Sequence, residues 1–182
     1  MKNNMKLIQK FLMIVMVMLA WSSITISAKG DKVDDNHLSC DGPYVIYLPD
    51  GGVRVVSVTV AGEVKDTTYA SLPDNFTLHV TDHEGNYPFD VRLHPVVRQE
   101  WKQSQAKKTF VMSDPHGRLN LVISLLQANG VIDSQLRWSY GDNQLVVIGD
   151  IFDRGYDVPQ IFWLFYKLEA EAAECGGRVS VM

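Results

Sequence analysis

The chain reads as an α/β protein, with a β-α-β-α-β run over residues 109–182 preceded by a small antiparallel β region. Three observations predict this. The apolar runs Thr109-Phe110-Val111-Met112 and Leu145-Val146-Val147-Ile148 have the length and β-branched content of buried strands. Apolar residues at helical spacing separate and follow them. Between Pro43 and Pro95, short alternating runs are broken by Gly, Pro and Asp.

Residues 1–28 read as a signal peptide. Lys2, Lys6 and Lys10 form a basic start, Phe11 to Trp21 is unbroken apolar sequence, and small residues lead to a cut after Ala28. That apolar run is shorter than the roughly 20 residues a bilayer span needs, so no stable membrane span is expected. An uncleaved anchor is the lesser alternative, because Leu7 and Ile8 lengthen the run. The product is expected to be exported, periplasmic or secreted. Residues 29–42 are polar and read as a flexible linker.

Residues 43–95 are expected to form a small β-rich accessory domain. Tyr44 to Leu48 reads as a strand running into the turn Pro49-Asp50-Gly51-Gly52. Val53 to Val60, Glu63 to Tyr69, Phe76 to Val80 and Tyr87 to Arg92 follow as further strands. Residues 96–108 are polar, a linker or a short helix. From Thr109 strands and helices alternate. Leu119, Val122, Ile123 and Leu126 share a helix face that Gly130 closes. Asp157 is positioned to cap a second helix, with Pro159 in its first turn and Ile161, Leu164, Phe165, Leu168 and Ala172 as its buried stripe. Gly176-Gly177 ends it, and Arg178 to Met182 starts a third strand. Such a succession implies a parallel sheet with right-handed crossovers.

The chain has 182 residues, 46% hydrophobic and 21% charged, as a globular protein does. Its formal net charge is −4, and setting aside residues 1–28 with their three lysines and no acids leaves about −7. That excludes a general nucleic-acid binder, which needs basic clusters. Cys40 and Cys175 are the only cysteines, and a bridge between them is not expected.

Both strand patterns of the α/β part end in carboxylates: Ser113-Asp114-Pro115-His116-Gly117, and Gly149-Asp150-Ile151-Phe152-Asp153-Arg154-Gly155. Ligands gather beyond the carboxyl ends of parallel strands. Asp114, His116 and Asp150 can therefore share a metal, and mixed carboxylate and imidazole donors suit manganese, iron or zinc better than calcium. A carboxylate can also bridge two cations, and a two-metal site generates hydroxide at neutral pH. Arg154 would grip phosphate oxygens through its planar fork. His37, His79, His83 and His94 read as surface or structural residues, and Trp101, Trp138 and Trp163 as packing residues.

These two motifs resemble the first two signatures of the calcineurin-like metallophosphoesterases, in the phosphoprotein-phosphatase branch and the Shewanella-like bacterial group. Leu125-Leu126, Gly130-Val131-Ile132-Asp133, Trp138, Gly141-Asp142 and the Leu168-to-Val179 stretch add to the likeness, which covers residues 109–182. The resemblance implies a partial metallophosphoesterase fold, the first β-α-β-α-β of a β-sandwich flanked by helices. It implies that Asp114 and His116 bind one of two divalent ions (Mn, Fe or Zn) and that Asp150 bridges both. Asp153 would orient a catalytic histidine, and Arg154 would bind substrate phosphate. The implied reaction is hydrolysis of phosphate monoesters, Ser/Thr-protein-phosphatase-like, by a metal-activated water, with a phosphoprotein or small phosphoester as substrate.

In that family the third strand runs directly into Gly-Asn-His-Glu, whereas this sequence ends at Met182. The first metal site and the bridging ligand are therefore the parts expected here, and the chain by itself is expected to be inactive. A diadenosine-tetraphosphate or nucleotide phosphatase shares both signatures and remains an alternative. So does a non-catalytic remnant that binds a metal or a partner.

Overall fold

A computed structural model of the chain describes residues 40–96, 98–100 and 102–182. The signal-peptide segment, the linker up to residue 39, His37 and Trp101 lie outside the described residues. The described part belongs to one compact unit, Asn36–Met182.

Turn chemistry builds the first half. Strands β1 (Asp41–Tyr47), β2 (Val53–Val58) and β3 (Val64–Tyr69) form an antiparallel sheet in that order. The Pro49-Asp50-Gly51-Gly52 signal closes β1 onto β2, with Leu48 N–H donating to Gly52 O at 2.8 Å. A second hairpin pairs β4 (Thr77–Val80) with β5 (Phe89–Arg92). It alternates strictly: Leu78, Val80, Phe89 and Val91 are buried, His79 and Asp90 exposed.

Strands β6 (Thr109–Ser113), β7 (Gln144–Ile148) and β8 (Arg178–Val181) form the parallel sheet, in sequence order. Helices α1 (Leu119–Ala128) and α2 (Val158–Glu174) connect them. Helix α1 buries the four expected residues, Leu119, Val122, Ile123 and Leu126, and Gly130 follows its end with φ +67°. Helix α2 buries its expected stripe and also Gln160, whose amide oxygen and nitrogen have no hydrogen-bond partner among the described residues. Residues 96–108 contain no helix among the described residues.

One core runs through both halves. Leu78, Val80, Phe89 and Val91 of the hairpin pack in the same cluster as Met112, Leu145, Val147 and Val179 of the parallel sheet and the stripes of both helices. Polar ties reinforce it. Trp163 donates its indole N–H to Pro43 O at 2.7 Å, and the His94 ring stacks on Tyr166 at 3.8 Å. The other face of the parallel sheet is open: Val111 and Ile148 are exposed. Cys40 is a buried free thiol, pushed up in pKa first by burial and then by Asp157, Asp82 and Asp41; Cys175 is free and exposed. No described helix is long and apolar enough to cross a membrane.

Candidate active site

The β6–β7 register decides the site's position. Ser113 lies opposite Ile148, so the two motifs leave the sheet from neighbouring strand ends at the same level. They then run side by side. Asp114 N–H donates to Ile148 O at 3.2 Å, His116 N–H to Asp150 O at 3.0 Å, and Gly117 N–H to Ile151 O at 2.9 Å.

Glycine is required at the contacts. A Cβ at Gly149, where φ is +84°, would strike the Asp114 carboxylate, and one at Gly155 would strike the Gly117 carbonyl. The loops are also strained. Asp114, His116, Asp153 and Arg154 have φ of +51°, +44°, +65° and +62°. Four of the five non-glycine residues with positive φ among the described residues thus fall in these two short segments. Non-glycine residues held in this region cluster at active sites and ligand clamps.

The side chains divide the work. Asp114 is exposed; its Oδ1 accepts Asp150 N–H at 2.9 Å and its Oδ2 the Ser113 hydroxyl at 3.3 Å. His116 sits deeper. Its Nδ1 is 3.0 Å from Phe152 O and 2.9 Å from Asp153 Oδ1. Both partners are acceptors, so Nδ1 is the donor in these contacts, and Nε2 makes no hydrogen bond among the described residues. An imidazole oriented through Nδ1 by a carbonyl or carboxylate can offer Nε2 to a metal. Asp150 is exposed, and its carboxylate makes no hydrogen bond among the described residues. Asp153 also pairs with Arg154 Nε at 3.4 Å, and the guanidinium is 70% exposed.

The donors fit a divalent cation in kind: two carboxylates and one imidazole with a free nitrogen, on adjacent loops. Their present rotamers do not close on one point. Among the described residues, no three His, Cys, Asp or Glu side chains converge as a metal-holding group.

Asp157 departs from expectation. It stands at the N-cap of α2, but its carboxylate makes no capping bond. Instead it is buried and accepts both the backbone N–H (2.8 Å) and ring Nδ1 (3.0 Å) of His83, a partner 74 positions away. No local sequence signal predicts such a pair.

Comparison with known proteins adds three findings. No family model matches the chain. It is 33% identical over 76 residues to Shewanella-like protein phosphatase 2 of Arabidopsis thaliana, a match covering 42% of this chain and 19% of that protein. It is 35% identical over 72 residues to an uncharacterised protein of Schizosaccharomyces pombe, covering 38% and 22%. Among solved structures, the cold-active protein-tyrosine phosphatase of a psychrophilic Shewanella species superposes with a TM-score of 0.65 at 29% identity. That superposition covers 80% of this chain and 43% of the Shewanella enzyme; a 1.1 Å structure of cold-active protein tyrosine phosphatase gives the same TM-score. The chain thus spans about a fifth of the length of the curated relatives it matches. It is homologous to phosphatases over that part, and its mixed α/β fold is shared with a solved phosphatase.

Proposed function

We propose that the two loops form a metal-dependent phosphoester-hydrolysis site of the metallophosphoesterase type, and that the chain is the part of a phosphatase that carries its first metal ligands. The observation that supports this best is the pairing of the loops. Asp114, His116 and Asp150 leave adjacent parallel strands, and the Phe152 carbonyl and the Asp153 carboxylate hold the His116 ring through Nδ1. Asp114 and His116 would hold the first divalent ion, manganese, iron or zinc, and Asp150 would bridge to a second. Bound there, the ions would supply a water of lowered pKa and a counter-charge for phosphate oxygens. Arg154, extended and exposed, would hold the phosphate in its fork. Asp153 would keep the His116 ring and the Arg154 guanidinium in register.

The substrate in this reading is a phosphorylated protein side chain. The name of the Arabidopsis relative, a protein phosphatase, supports a protein substrate. The name of the Shewanella enzyme points the same way.

Manganese titration followed by electron paramagnetic resonance tests the site. The chain should bind Mn²⁺, and the double variant Asp114→Asn/Asp150→Asn should not; equal binding by the two would overturn the reading. Export from the cytoplasm, by way of residues 1–28, belongs to the same proposal. Mature protein that still begins at Met1 would contradict it.

A further inference from the structure

The turn between β4 and β5 reaches the site loops, and its chemistry exceeds what a surface hairpin needs. Asp82, Asp157 and Gln160 are the buried polar side chains among the described residues, and two of the three lie at this junction. Burying a carboxylate is costly unless its oxygens are bonded. Each is bonded through Oδ1. Asp82 Oδ1 accepts Tyr87 N–H at 2.7 Å and the Thr81 hydroxyl at 3.3 Å, while its carbonyl accepts Gly85 N–H at 3.0 Å. The turn is thereby braced from within. It presents His83 outward, and Asp157 takes two bonds from it. The His83 ring also packs on Tyr156, with centroids 4.9 Å apart.

Asp157 passes the connection on. Its N–H donates to Gly117 O at 3.0 Å, next to His116, and Gly117 in turn meets Gly155 backbone to backbone. We infer that His83 is a positioning residue for the site: through Asp157 it clamps the Gly149-to-Asp157 loop against the Ser113-to-Gly117 loop, so that Asp150 of one loop and Asp114 and His116 of the other face a common cation. The antiparallel hairpin is then part of the site's supporting frame. The link runs from residue 83 to residue 157 to residue 117, and it needs no contact between His83 and the cation. Its functional consequence rests on the metal-site reading above; the mechanical link does not.

The test uses the whole chain and two readouts. His83→Ala removes the ring bond. His83→Phe removes the same bond but keeps a ring against Tyr156, and it carries the test should the alanine variant unfold. Asp157→Asn keeps an oxygen able to accept both bonds. Manganese affinity should fall about tenfold in both His83 variants, the low end of the loss that supporting residues cause at metal sites. It should stay near wild type in Asp157→Asn. In the same His83 variants, amide hydrogen exchange should quicken in peptides covering 114–117 and 150–157, with 145–148 and 161–172 unchanged. Unchanged affinity in the His83 variants overturns the positioning role, even if exchange quickens, because the bond is then only structural. A wild-type chain that binds no manganese overturns the metal-site reading and this inference together. The two failures are told apart by whether the wild type binds.

Discussion

Gly155→Ala is the sharpest perturbation of the two-loop arrangement. A methyl group at Gly155 would overlap the Gly117 carbonyl and meet His116 O at 2.6 Å, about 0.8 Å short of ordinary contact. All of these are backbone atoms, so no side chain can rotate away, and the loops must separate. Three of the backbone hydrogen bonds that join the loops involve residues at or next to this contact: His116 to Asp150, Gly117 to Ile151, and Asp157 to Gly117. At about 1 kcal/mol each, weakening all three costs about 2–3 kcal/mol. At about 2–4 °C per kcal/mol for a chain of this size, Tm should drop about 4–12 °C. The control is Gly176→Ala. That residue has φ +74° and nothing within 4 Å of a built Cβ, so the variant pays only for left-handed backbone, about 1 kcal/mol. Urea titration and thermal melts followed by circular dichroism would measure both. A Gly155→Ala variant no less stable than Gly176→Ala would refute the claim that the loops touch through Gly117 and Gly155.

Gln160→Met should stabilise the chain by about 1 kcal/mol in urea unfolding, because both amide atoms are buried without partners among the described residues and methionine has a similar shape; a lower urea midpoint would mean that the amide has a partner. Asp133 is held below the ordinary carboxylate range, first by the Arg137 backbone N–H and then by the Arg137 guanidinium. Its ionised form is thus favoured in the folded state. Asp133→Asn should therefore be less stable than wild type above about pH 4, the ordinary aspartate range. The difference should vanish as pH falls through the lowered folded value; a deficit that persists at pH 2 would contradict this.

Much of the fold is legible in the residues. Strands β6 and β7, helix α1 with its four buried positions, the Gly130 and Gly176 helix ends and the turn at residues 49–52 all follow from periodicity and backbone preference. These are local effects, set by neighbours within a few positions. The loop residues at the two strand ends were visible for the same reason, since each motif lies within seven consecutive residues. The role of Asp157 was not. Local spacing marks it as a helix cap, but the fold offers it a better donor pair in His83, and a buried carboxylate goes where two N–H groups converge.

By itself the sequence determined the kind and order of most strands and helices, though not the ends of the short antiparallel strands, and which acidic, imidazole and guanidinium groups stand at the ends of β6 and β7. Tertiary structure alone decided that Ser113 pairs with Ile148, that Gly117 rests on Gly155, and that the β4–β5 turn shares a core and a buried carboxylate with the site loops. The division is physical. Backbone conformation is chosen by a residue and its near neighbours, whereas contact between residues 83 and 157 exists only once the hairpin, the helices and the parallel sheet bury their apolar faces together.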